Sequence, residues 1–79
     1  MKVKSVLINF TEEAQKNGKV PECVIFNSVK DTTCDTEGVY VVTTPTKEHL
    51  KERLASENDS ITYFYPIHSI GRVRVITRN

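Results

Sequence analysis

No stretch of this 79-residue sequence approaches the roughly 20 consecutive apolar residues that a membrane-spanning helix needs. Neither charge is in excess. Eleven basic residues stand against ten acidic ones, so a net +1 creates no global field toward nucleic acid or a membrane, although a local patch can still bind either. Cysteine is scarce: Cys23 and Cys34 form no Cys-x-x-Cys pair. Only His49 and His68 could join them around zinc, so no metal site is expected. In a reducing cytosol both are expected to be thiols, with Cys23 in the core of a strand. Asp31, Asp35 and Glu37 lack the central glycine and closing glutamate of a calcium loop. The motifs of catalysis are missing as well: no Gly-x-Ser-x-Gly, no phosphate loop, no His-Glu-x-x-His. Cys34 has acidic neighbours, which disfavour a thiolate. Glu48 and Glu52 interleave with Lys47, Lys51 and Arg53 in the manner of a solvated helix face. The expectation is a protein that is not an enzyme and uses no cofactor.

What the sequence does have is alternation. Lys2 to Phe10 places Val6, Ile8 and Phe10 on one side and Val3, Ser5, Leu7 and Asn9 on the other, which predicts a strand. The same alternation, without a small-residue cleavage site, separates this segment from a secretory signal, and a cytoplasmic location is expected. Thr11 can cap one or two helical turns ending at Asn17-Gly18, or the segment can be a loop. Val20 to Val29 is a second strand and Val39 to Thr44 a third, expected to form a hairpin across the turn-rich connection from Lys30 to Gly38. Thr44 and Pro45 suit a helix start, and a helix is predicted to about Glu57 with a narrow seam of Leu50, Leu54 and Ala55. Ile61 to Tyr65 and Ile70 to Thr77 are strands four and five, joined by a Pro-Ile-His-Ser corner. The chain is read as one domain, residues 1–79, with no repeats and no low-complexity segment.

The corner Pro66-Ile67-His68-Ser69-Ile70-Gly71 is similar to the second signature of the Sm-like proteins of the Hfq type, with His68 and Ile70 matching. Val6-Leu7-Ile8-Asn9 resembles that family's first signature. Together the likenesses cover about a third of the chain. Ile67 and Pro66 stand where the family has the lysine and tyrosine associated with its uridine-rich RNA pocket, and Phe10 replaces its turn glycine. The element order, β, short turn or helix, β, β, helix, β, β, predicts a mainly β (α+β) fold: a small five-stranded bent barrel, Sm/SH3-like, with one helix inserted between strands three and four, where the family has a short turn. The alternative architecture is a ferredoxin-like βαββαβ sandwich. The resemblance implies a ring, in which strand four of one subunit pairs with strand five of the next. The residues themselves point the same way, because Tyr63 and Tyr65 face one side of their strand and Phe64 the other, an unsuitable edge to leave open.

Strand alternation puts Arg72, Arg74 and Arg78 on one face and Val73 and Val75 on the other. Guanidinium groups suit phosphates, and tyrosines can stack on bases. The candidate ligand-binding residues are therefore Tyr63, Tyr65, His68, Arg72 and Arg74. The expected function is that of a small homo-oligomeric binding protein for RNA or a phosphate-bearing nucleotide. The alternative is a phage- or bacterium-encoded inhibitor or adaptor that engages a host protein through the helix and the acidic loop. His49 is expected at the surface of the helix.

Overall fold

The computed structural model describes residues 2–18 and 20–78. Its elements are β1 (Lys2–Phe10), α1 (Glu12–Gly18), β2 (Cys23–Asn27), β3 (Val29–Cys34), β4 (Gly38–Thr43), α2 (Lys47–Lys51), β5 (Ile61–Pro66), a 3₁₀ turn (Ile67–Ser69) and β6 (Ile70–Arg78). They form two antiparallel three-stranded sheets, ordered β2-β1-β6 and β3-β4-β5; among the described residues no ladder joins the two sheets, so the expected barrel is not closed. The ferredoxin-like alternative, which needs one continuous sheet, is thereby excluded.

β2 and β3 are separated only by Ser28, whose φ of 56° lies in the left-handed region. That single residue bends the chain so that one nearly continuous strand leaves the first sheet and enters the second. The break turns the five expected strands into six. It also corrects the expected hairpin. The partner of β4 is Val29–Cys34, most of which was assigned to the connection, and the actual turn is Asp35 to Glu37. Asp35 Oδ1 accepts hydrogen bonds from the backbone N–H of Glu37 (2.8 Å) and of Gly38 (3.1 Å), an Asx turn that closes the hairpin.

The core lies between the sheets and is small. Val6, Ile8, Phe10, Val39 and Val41 are its buried members, all on β1 and β4, the central strands. A central strand is covered by neighbours along both edges and by the other sheet on one face, so its inward positions lose the most water. Val3 also packs on this core. Strict alternation puts it on the opposite side, but a register shift between Val3 and Ser5 supplies an extra residue and turns it inward.

α2 is shorter than the predicted helix. Its cap is Thr46, not Thr44, so Pro45 precedes the cap. His49 is half-buried and closes a capping box: its Nδ1 accepts from the Thr46 N–H at 3.2 Å, and its own N–H donates to Thr46 Oγ1 at 3.3 Å. The helix stops because Arg53 turns left-handed (φ 59°), while the N–H groups of Arg53 and Leu54 donate to the carbonyls of Leu50 (3.2 Å) and His49 (3.0 Å). This is a Schellman ending built without glycine. Leu54 is left 70% exposed, so the predicted apolar seam does not form.

Candidate nucleic-acid interface

β6 pairs along its length with β1: Arg72 with Asn9, Arg74 with Leu7, Ile76 with Ser5 and Arg78 with Lys2. β2 flanks β1 on the other side, placing Cys23 beside Asn9, Ile25 beside Leu7 and Asn27 beside Ser5. Side chains alternate across a sheet. Val24, Phe26 and Val73 pack inward on the core, so Ile25, Arg72 and Arg74 project from the outer face. Two hydrogen bonds tie this face together: Arg74 Nη2 donates to Asn9 Oδ1 at 3.1 Å, and Ser5 Oγ donates to Asn27 Oδ1 at 2.9 Å. Ile25 and Ile76 are exposed between the polar groups.

The charge of this sheet is one-sided. Its three strands carry Lys2, Lys4, Arg72, Arg74 and Arg78 and not one aspartate or glutamate. All ten acidic residues of the chain lie in other segments. The near-neutral whole therefore contains a sheet of five positive charges, with the acids placed on α1, at Glu22 just before β2, on the β3–β4 hairpin and in the α2 region. Counting charge by strand shows most of this in the sequence, although the expected strand Val20 to Val29 includes Glu22, which the structure places just before β2.

The tyrosines are elsewhere. Tyr63 and Tyr65 point into the interior from β5, Tyr63 with its ring centre 4.8 Å from Phe26 and Tyr65 with its ring centre 5.1 Å from Phe10. Burial, and secondarily the neighbouring Tyr63, hold the Tyr65 hydroxyl above its ordinary pKa of 10.0. Phe64 takes the opposite side of the strand, 4.7 Å from Tyr40, and remains 45% exposed. The expected cluster of tyrosines beside the arginine stripe is thus not assembled, because β5 belongs to the second sheet and β6 to the first.

His68 is exposed in the 3₁₀ turn between them. The turn is held by Ser69 Oγ donating to the Pro66 carbonyl (2.7 Å), by the Ile67 N–H donating to the Glu37 carbonyl (2.8 Å), and by the Thr11 N–H donating to the Ser69 carbonyl (3.0 Å). These bonds anchor the corner to both sheets. Between it and α1 opens a cleft of about 540 Å³, with Phe10, Tyr65 and Ala14 among its apolar walls and Glu13, Asn17 and His68 among its polar groups. The five candidate residues therefore divide into three places. Arg72 and Arg74 lie on the outer face and Tyr65 and His68 on the cleft. Tyr63 lies at a separate hollow near Ile25 and Pro45. Phe10, Glu13 and Asn17 were not anticipated as site residues.

Cys23 is half-buried on β2 and Cys34 exposed at the end of β3, and both are free. Among the described residues no three histidine, cysteine, aspartate or glutamate side chains come together as a metal site would require. No helix among them is long and apolar enough to cross a membrane. Fold and surface together define a small, mainly β two-sheet protein with a basic outer face. Searches among family models, curated proteins and solved structures return no match to this chain.

Proposed function

We propose that this is a non-catalytic, homo-oligomeric binding protein that holds RNA or a phosphate-bearing nucleotide on the outer face of the β2-β1-β6 sheet. The observation that carries the reading is that the strands of that sheet bear five basic residues and no acidic one. Arg72 and Arg74 present two guanidinium forks on one face, the geometry suited to phosphate oxygens. Ile25 and Ile76 supply apolar ground for sugars or bases between them. Tyr63 does not stack on this face in our account. The finer architecture we propose is an open Sm/SH3-type arrangement, supported by the strand bent at Ser28 and by the 3₁₀ corner before the last strand.

Assembly has its own support. A folded monomer of 9.0 kDa exposes about 4,850 Å² by the usual surface scaling. This chain exposes 5939 Å². Its radius of gyration is 13.3 Å, where about 11.6 Å is usual for a chain this long. The excess surface, on the order of 1,000 Å², is comparable to the roughly 800 Å² one partner contributes to a standard interface. β5 and β6 are sheet edges carrying exposed Phe64, Val75 and Ile76, and pairing of these edges between copies covers them. Light scattering during size exclusion should report a multiple of 9.0 kDa. A monomer at micromolar concentration refutes assembly, while unchanged RNA and nucleotide affinity in Arg72→Ala/Arg74→Ala at low salt refutes the binding face.

A second reading, a protein-binding adaptor or inhibitor, is favoured by one observation: Leu54 stands 70% exposed beside the charged residues of α2. Charge reversal at Lys47, Lys51 and Arg53 should then abolish capture of a partner protein, and capture that survives the reversal argues against this surface.

A further inference from the structure

The cleft between α1 and the β5–β6 corner lies apart from the arginine row and has aromatic side chains in its lining. Phe10 and Tyr65 meet at its base with ring planes inclined at 57°. Pro66, Ala14 and Val20 extend the apolar walls. Polar groups line both walls, Glu13 and Asn17 from α1 and His68 and Ser69 from the corner. Glu13 and Asn17 are four residues apart on α1, so both project from the same helical face toward the opening. α1 is fixed in place by Thr11 Oγ1, which accepts from the Ala14 N–H at 3.1 Å, and by Gln15 Nε2, which donates to the Phe10 carbonyl at 3.2 Å. A volume of about 540 Å³ lies within the range of small-ligand sites, roughly 300–1,000 Å³.

We infer that this cleft receives a nucleobase bearing an exocyclic amine, its ring against Tyr65 over the buried Phe10 and its amino edge toward Glu13 and Asn17. An ionised carboxylate can only accept hydrogen bonds, so Glu13 selects a donor on the ligand. An amide both donates and accepts, so Asn17 matches an edge with an amine beside a ring nitrogen, as in adenine or cytosine. Uracil presents a carbonyl where those bases present the amine, and its oxygen would oppose the Glu13 carboxylate. The cleft also adjoins the basic face. The register pair next to Phe10–Ile70 is Asn9–Arg72, so a base seated here leaves its backbone at the end of the arginine row. The inference takes its ligand class from the phosphate-binding reading, but its test contains no phosphate.

The experiment is titration of the intact protein with adenosine, cytidine and uridine, followed by amide chemical shifts. Shifts should gather at α1 and residues 65–69, with adenosine and cytidine favoured over uridine about tenfold, the worth of one charge-assisted hydrogen bond. Glu13 is exposed, so Glu13→Gln should fold normally and cut that preference to about twofold, because glutamine can also donate. A structural effect of the substitution would weaken all three nucleosides alike. The inference is overturned if uridine binds as well as adenosine, if shifts fall outside the cleft, or if no nucleoside binds at millimolar concentration. None of these results bears on phosphate binding, which the double arginine variant tests separately.

Discussion

Ile8 is fully buried on the central strand of the first sheet and packs in a core that, among the described residues, has five buried apolar members. With so few members, loss of one is felt in full. Ile8→Ala should cost about 2–5 kcal/mol, a large part of the ~5–15 kcal/mol that holds a typical domain together. Urea denaturation with a lowered midpoint measures this; a midpoint unchanged from wild type contradicts the placement of the core. Gly38 is a second sensitive position. A Cβ there would collide with the Tyr65 backbone carbonyl and press on the Phe64 ring. Gly38→Ala should therefore separate β4 from β5 and destabilise the protein, again by a drop in urea midpoint. Tyr65 gives a pH signature. Its hydroxyl pKa is raised in the folded state, so the native form prefers the neutral phenol. The associated stability is complete below the unfolded pKa near 10 and is lost as pH rises through the higher folded value. Tyr65→Phe should flatten the decline in stability between neutral pH and pH of about 11, where wild type falls. Equal declines in the two proteins would show that Tyr65 is not the group responsible.

Among the elements, the strands with strict alternation were legible in the sequence: β1, β5 and β6 fall where period-two patterning places them. β3 was not, because an edge strand needs only one mildly apolar side. Its sequence Val-Lys-Asp-Thr-Thr-Cys keeps Val29 and Thr32 half-buried and exposes the rest, which reads as a loop. The length of α2 was illegible for another reason. The left-handed residue that ends it is an arginine, and arginine is no stop signal. The arginine row was visible from spacing alone, whereas its separation from the tyrosines depends on two strands entering different sheets, a long-range fact no local pattern encodes. The bend at Ser28 likewise has no glycine to mark it. Substituting a β-branched residue there is correspondingly costly, since such side chains resist positive φ. Ser28→Val should destabilise by about 1–3 kcal/mol. At Arg53 the opposite change is favourable: Arg53→Gly relieves the same backbone region and should raise stability by up to about 1 kcal/mol. Thermal denaturation of the two variants should move in opposite directions from wild type; movement in the same direction contradicts the strain assigned to these two turns.

At the scale of the whole molecule, two properties go together. The chain is flat, 35 × 33 × 19 Å, and one of its two sheets carries five basic residues and no acidic one. Flatness leaves sheet edges and apolar residues uncovered, and in the assembly we propose, repetition of the basic face would multiply the phosphates held at once. Phe64→Lys and Ile76→Lys should shift the particle mass toward monomer without loss of the far-ultraviolet strand signal, and an unaltered mass would place the contact away from these edges.

The most direct measurement is the salt dependence of binding to a single-stranded RNA oligonucleotide. Each phosphate neutralised on a single strand contributes a slope of about −0.7 in the logarithm of affinity against the logarithm of salt. If Arg72 and Arg74 each hold a phosphate, Arg72→Ala/Arg74→Ala should weaken binding and make the slope shallower by about 1.4 per subunit engaged. An affinity and a slope identical to wild type would contradict the assignment of the basic sheet as the binding face.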